Sequence, residues 1–169
     1  VTVQVAHTQE AAEALFRIMH RFLNQLPQAW YETPVRKKVK RSSRRIFFPA
    51  IDSEYVIETA GDRNAGRGLT ISNLHCTELA RWPGDPAETL YGLLATLSPE
   101  GELAMESTPM GSAGCFWQQW QEAEATGTTP HFFPWWLEDA YTAAPVSDPS
   151  LTDEERQLME GHRLSPGQI

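Results

Sequence analysis

The stretch Leu69-Thr70-Ile71-Ser72-Asn73-Leu74-His75-Cys76-Thr77-Glu78 decides how this 169-residue chain is read. Leu69, Ile71 and Leu74 mark a core strand over 69–74, and the run closes on a carboxylate. An acidic residue after a buried strand is what a nucleotide hydrolase needs beside a γ-phosphate, because it can orient and polarise the attacking water. The plainer alternative is a strand that ends in Glu for solubility. His75 reads as a packed or capping residue, since together with Glu78 it supplies only two of the ligands a metal site requires.

Upstream, Val1 to Ala6 reads as a buried strand. Thr8-Gln9-Glu10 then opens a helix whose apolar positions Ala11, Leu15, Ile18, Phe22 and Leu26 fall at helical spacing until Pro27 closes it. Arg45 to Phe48 and Glu54 to Thr59 read as short strands that pair with each other. Gly61 to Gly68 has the G-x-x-x-x-G spacing of a P-loop. A P-loop continues into a hydroxyl residue and a helix, whereas here Gly68 takes the hydroxyl's place and a strand follows. The segment is therefore expected to be a flexible turn presenting Arg67 or Arg63 outward.

Downstream, Asp85 as N-cap and Pro86 in the first turn start a helix running to about Leu97, with Ser98 to Gly101 as a turn. Glu102 to Glu106 reads as a short strand ending in Ser107-Thr108, halted by Pro109 and Gly111. A helix over 111–126, an aromatic strand over 131–136, a linker over 147–149 and a helix N-capped by Thr152 with Glu155 in a capping box complete the chain. Helices between core strands predict an α/β fold with a largely parallel sheet, whose ligands sit at the carboxyl ends of the strands. Glu78 and Ser107-Thr108 end two successive core strands about thirty residues apart.

A content of 41% apolar and 21% charged residues excludes long disorder, and no apolar run approaches the ~18 residues of a membrane span. Cys76 and Cys115 make no disulfide framework and carry no zinc spacing, so a reduced, intracellular setting is expected. The opening VTVQVAHTQE has no basic region of a signal peptide and no initiator Met, and with the ending LSPGQI it suggests a piece of a longer chain. The net charge of −8 conceals a block of seven basic residues, Arg36, Lys37, Lys38, Lys40, Arg41, Arg44 and Arg45, which leaves −15 for the remainder. Such a block can contact phosphates. It can equally be a solvated hairpin whose charges keep a sheet edge from aggregating.

The residues taken together resemble the large terminase subunit of tailed bacteriophages, the ATP-driven motor that packages DNA into capsids. The resemblance runs over the whole chain. Its most specific parts are Gly66-Arg-Gly-Leu-Thr-Ile-Ser-Asn-Leu-His-Cys-Thr-Glu-Leu-Ala-Arg-Trp-Pro-Gly84, Glu106-Ser-Thr-Pro-Met-Gly111 and His131-Phe-Phe-Pro-Trp-Trp136. The ending from Leu151 to Pro166 looks like the segment leading from the ATPase domain towards the nuclease domain in that family.

The resemblance implies a P-loop NTPase-like core of the ASCE type that lacks the N-terminal Walker A strand and helix. Residues 1–146 would be the central and C-terminal part of the ATPase domain, and 147–169 a linker helix. Glu78 matches the catalytic glutamate after the Walker B strand, and Ser107-Thr108-Pro109 the coupling motif. Arg67 matches an arginine finger that completes a neighbouring subunit's site, where it would stabilise charge developing in phosphoryl transfer. The basic block would contact DNA or a neighbouring subunit.

Two departures follow. Thr77 stands where the family usually has the Walker B aspartate, so Mg²⁺ would be held through a neutral hydroxyl or through water. The P-loop itself lies upstream of Val1 in the family, so this chain alone is expected to bind ATP weakly or not at all and to hold no metal by itself. The intact protein would hydrolyse ATP with Mg²⁺ and move double-stranded DNA. It would act as a homo-oligomeric ring with the portal protein and the small terminase subunit, in the cytoplasm of the bacterial host and transiently at the capsid portal, without a membrane. The alternative is a non-catalytic nucleic-acid-binding or assembly module, a prophage remnant that keeps the ATPase fold. A helicase is a third option, which the Ser-Thr-Pro and Trp-Trp segments argue against.

Overall fold

Alternation along the first strand builds the centre of the structure. In the computed structural model, which describes residues 1–37, 39–144 and 150–169, Val3 and Val5 point to one face of a sheet and Gln4 and Ala6 to the other. The strands are β1 (Thr2–Ala6), β2 (Lys40–Arg41), β3 (Arg45–Phe48), β4 (Ser53–Thr59), β5 (Ile71–Thr77) and β6 (Leu97–Glu106). They form a six-stranded sheet in the order β2-β3-β4-β1-β5-β6. β1 runs parallel to β4 and β5, and β5 parallel to β6, while β2 and β3 are antiparallel additions at one edge. The protein is thus α/β with a mixed, mostly parallel sheet.

Helix α1 (Gln9–Asn24) begins where Thr8 Oγ1 accepts the Ala11 amide at 3.2 Å. It lays Ala12, Phe16 and Leu23 on Ala6, Ile46, Tyr55 and Ile57. Two short helices, α2 (Gln28–Tyr31) and α3 (Pro34–Lys37), lead to β2. On the opposite face, α4 (Pro86–Leu94) starts with Asp85 accepting the Glu88 amide at 3.0 Å and buries Leu90 and Leu93 with Val3, Val5, Val56, Leu74 and Cys76. Because β1, β4, β5 and β6 are parallel, the chain leaves all four at one sheet edge. His7, Ala60, Glu78 and Ser107 gather there.

The sheet is not evenly covered. α1 lies over β1 and β4, and on that same face β5 and β6 show Asn73, Glu102, Ala104 and Glu106 to solvent. A row of side chains crosses this face: Tyr55 Oη donates to Gln4 Oε1 at 2.5 Å, Gln4 Nε2 meets His75 Nδ1 at 3.1 Å, and His75 Nε2 lies 3.5 Å from Glu106. The outer edge of β6 has no strand partner among the described residues.

Several boundaries differ from the sequence reading. The core strand spans 71–77 rather than 69–74, and α4 ends at Leu94 rather than Leu97. Ser98 to Gly101 is not a turn but the first half of β6, with a bulge opposite Ile71/Asn73. Gly101 permits it, since a Cβ there would come within 2.7 Å of Leu97 Cδ1 and 2.9 Å of the Ser98 carbonyl. Helix α5 (Cys115–Glu122) is shorter than 111–126, because Gly111 and Gly114 take positive φ of 79° and 90°. The expected aromatic strand at 131–136 does not form. Pro134 removes a backbone donor from within it, and the chain turns instead into a 3₁₀ segment at Trp135–Leu137.

The chain divides into two compact units, Val1–Ala123 and Glu124–Ile169. Within the second, helix α6 (Asp153–His162) carries the expected capping box, Thr152 N–H donating to Glu155 at 2.7 Å and Glu155 N–H to Thr152 Oγ1 at 3.3 Å. Its His162 packs on Trp136 with ring centroids 4.3 Å apart. The expected linker at Ser147–Pro149 lies outside the described residues. Among the described residues no helix is long and apolar enough to cross a membrane.

Leu74, 1% exposed at the centre of the α4-side core, sets the scale of packing energy. Leu74→Ala is expected to lower stability by about 2–5 kcal/mol in urea denaturation. Burial, with smaller contributions from Cys115 and Glu106, pushes the Cys76 thiol up to about 12, so a thiol reagent at pH 8 should label Cys115 first and Cys76 only as the protein unfolds.

Candidate active site at the carboxyl edge of the sheet

Thr77 pairs with Glu106 in the last row of the β5–β6 ladder, so the next residues, Glu78 and Ser107, leave the sheet side by side. Glu78 takes a left-handed conformation, φ 52° and ψ 44°, which turns the chain sharply into a 3₁₀ segment at Leu79–Arg81. Two anchors hold that turn. Leu79 is fully buried, and the Trp82 indole N–H donates to the Thr77 carbonyl at 3.0 Å inside the core. A left-handed non-glycine residue costs about 1–3 kcal/mol and persists only where the surroundings over-determine it.

The carboxylate of Glu78 is gripped through one oxygen. Oε2 accepts from Thr108 Oγ1 at 3.1 Å and from Ser107 Oγ at 3.4 Å, and Arg81 Nε lies 3.4 Å away. Ser107 has one hydroxyl proton and a second, closer acceptor in the Thr108 carbonyl at 3.0 Å, while its oxygen receives the Ala80 amide at 3.2 Å. Thr108 is therefore the steady neutral donor to Glu78, and Ser107 is shared. Among the described residues Oε1 accepts no hydrogen bond. A charged carboxylate with one oxygen fixed and the other open can take a water's proton or orient that water for attack.

Sequence reasoning overlooked two residues here. Arg81 follows Glu78 by three positions and supplies the cation. His7, the residue after β1, has a buried Nδ1 with no hydrogen-bond partner among the described residues. It follows the register of β1 on β5, in which Val5 pairs with Cys76, towards the row of Glu78. The rule that chemistry sits just after parallel strands would have found it.

The remaining candidates lie elsewhere. Thr77 is 8% exposed and belongs to the strand. His75 points to the opposite face of β5 from Cys76 and meets Gln4 and Glu106, not Glu78. Arg67 makes no ion pair with Glu78. It lines a separate cleft of about 180 Å³ with Gly61, Arg63, Pro83, Asp85 and Glu88, between the end of β4 and the start of α4. Gly66 shapes that loop, with φ 70° and a position where a Cβ would fall 2.7 Å from Leu93.

The basic block divides. Arg44 meets Glu58 at 3.8 Å and donates to Gln9 at 3.0 Å, and Arg45 meets Glu54 at 3.4 Å. Burial holds the Glu58 carboxyl above its ordinary range despite Arg44 beside it. Arg41 instead donates to neutral acceptors on α1, to His20 Nδ1 at 3.0 Å and Asn24 Oδ1 at 3.2 Å. Lys40 is exposed. Lys38 and the side chains of Arg36 and Lys37 lie outside the described residues.

The donor set fits only part of a nucleotide site. It has a water-orienting carboxylate and hydroxyls, but the turn over 61–68 leads into a strand rather than a helix N-terminus, so these residues form no cradle for a triphosphate. Among the described residues no group of three or more His, Cys, Asp or Glu side chains could hold a metal. No protein-family model matches the chain, and no curated protein matches it significantly.

The strained backbone of Glu78 gives a test that separates chemistry from packing. Glu78→Gly should leave stability unchanged or raise it by about 1 kcal/mol, whereas the β-branched Glu78→Val should lower it by about 1–3 kcal/mol, both read from urea unfolding.

Proposed function

We propose that this chain is the water-activating part of a P-loop-type ATPase core, and that the intact protein is a DNA-packaging motor of the terminase large-subunit kind. The observation that carries the reading is Glu78 Oε2 accepting hydroxyls from Ser107 and Thr108 at the shared end of β5 and β6. In this reading Glu78 orients the hydrolytic water through its open oxygen. Ser107, with one proton and two acceptors, changes partner when the charge at Glu78 changes, and so passes the state of the site along the loop after β6.

Two features of the sheet support the same reading. The open edge of β6 accommodates a further parallel strand, and parallel sheets are ordinarily covered on both faces. The bare face of β5 and β6 lies beside the flank of α1 that carries Ile18 and Phe22, 41% and 59% exposed and four residues apart. A strand and helix contributed from upstream would pair with β6, cover that face and bring the missing triphosphate cradle to Glu78. Arg67, outside the Glu78 contacts, would then act on a neighbouring subunit's site in a homo-oligomeric ring. ATP, Mg²⁺, double-stranded DNA, the portal protein and the small terminase subunit are the proposed cofactors and partners, in the host cytoplasm and at the capsid portal.

A non-catalytic nucleic-acid-binding module is the second reading. Thr77 favours it, being a neutral, buried side chain where a metal-binding aspartate would be expected.

The deciding measurement is ATP turnover by the full-length protein. Glu78→Gln should lower it by at least about 100-fold with nucleotide binding retained. Arg67→Ala should lower turnover only in assembled rings, and the 169-residue chain alone should show none. An active Glu78→Gln protein would overturn the assignment, and absence of both nucleotide binding and turnover in the full-length protein would favour the second reading.

A further inference from the structure

We propose that α1 and the β2–β3 hairpin form one phosphate-binding surface for duplex DNA, centred on Arg17, Arg21 and Arg41 rather than on Arg44 and Arg45. The proposal rests on the DNA-contacting part of the function proposed above and moves the contact onto a helix outside the basic block.

Residues three and four apart share a helix face, so Arg17, His20, Arg21 and Asn24 form one stripe on α1. Arg41 crosses from β2 and docks on the C-terminal half of that stripe, at His20 and Asn24. Neither acceptor is a carboxylate. Among the described residues Arg17, Arg21, Lys40 and Arg41 form no ion pair, whereas Arg44 and Arg45 each face a glutamate. Glu13, the carboxylate next along the stripe, accepts from Gln9 at 3.0 Å. The hairpin's charge is thus compensated at its Arg44–Arg45 end and left open at Arg41.

Arg17 and Arg21, one helical turn apart, rise about 6 Å along the axis. That is close to two of the ~3.4 Å steps by which the phosphates of one DNA strand advance along the duplex, so the pair matches alternate phosphates. Two like charges at this spacing destabilise α1, an effect that an intervening phosphate reverses. The stripe offers cationic donors and no buried aromatic anchor, which suits a polyanion better than a protein interface.

His20 adds a signature. Its Nδ1 accepts from Arg41, so its proton sits on Nε2, and its ring edge meets Phe16 at 4.6 Å. Burial, and then Arg41, hold its pKa below the ordinary value. The charged group in contact with it is Arg41 from β2, and Arg17 and Arg21 lie on the same helix stripe. A phosphate seated beside Arg41 offsets its field and favours the imidazolium, whose protonated Nδ1 releases Arg41 to the phosphate and to Asn24. DNA binding then takes up a proton at His20, so affinity rises as pH falls from about 8 to 6.

The test is binding of a fluorescent 30-base-pair duplex to the 169-residue protein across a salt series. The double variant Arg17→Gln/Arg21→Gln should reduce the slope of log K against log[salt] by about 2, since each phosphate contact contributes about 0.9. Arg44→Gln/Arg45→Gln should change it by less than about 0.5. His20→Gln should flatten the pH dependence while thermal unfolding shows all variants folded. If the duplex binds but only Arg44→Gln/Arg45→Gln weakens it, the surface is misplaced and the DNA reading stands. No duplex binding by the wild type in 50 mM salt would sink both. If Arg17→Gln/Arg21→Gln spares DNA binding but dissolves self-association, measured by mass, the stripe is a contact for a second, acidic copy of this chain.

Discussion

The pairing of Thr77 with Glu106 in the last row of the β5–β6 ladder is the constraint on which the rest depends. Parallel pairing makes two chains leave a sheet at one edge, and this register makes them leave level. Glu78 then meets Ser107 and Thr108 without a long loop to order, which keeps the entropic cost of assembling the cluster low. A shift of one residue in either strand would send the carboxylate to the wrong face of its strand and dissolve the contact.

The same constraint explains why a strained residue stands at the site. β5 must stop, and Leu79 and Trp82 must return to the core within a few residues, so the backbone between them turns through the left-handed region. Glycine would make that turn more cheaply, yet the position holds a glutamate whose carboxylate is fixed by Thr108, Ser107 and Arg81. Strained residues of this kind cluster at functional sites, and Asp52 and Arg163 adopt the same conformation in turns elsewhere in the chain. Away from this edge, charge follows a separate logic: carboxylates of β4 compensate one end of the basic hairpin, and α1 receives the other through neutral acceptors.

Much of the architecture was legible in the sequence. The helix α1, the Asp85-Pro86 start of α4, the Thr152–Glu155 capping box and the alternation of strands with helices are local signals that appear in the structure, although α1 buries Ala12, Phe16 and Leu23 and leaves Ile18 and Phe22 of the expected stripe exposed. The misreadings were local signals overruled by pairing. Ser98 to Gly101 has turn composition, but the backbone of β5 recruits it into β6 through a bulge that Gly101 allows. The aromatic run at 131–136 has strand composition, but Pro134 within it removes a donor a ladder needs. Glu78, Ser107 and Thr108 were found because each follows a strand. His7 also follows a strand and was overlooked, whereas nothing in the spacing of Arg81 tells which neighbours the third dimension supplies.

By itself the sequence determined the main helices, the core strands and that a carboxylate and two hydroxyls end two of those strands, because these follow from residue type and period. Only the tertiary structure decided that those two strands are adjacent and level, that His75 turns to Glu106 and away from Glu78, that Arg67 lies in another cleft, and which cations of the basic block remain unpaired. Strand order, register and charge pairing join residues far apart in the chain, so no local pattern records them.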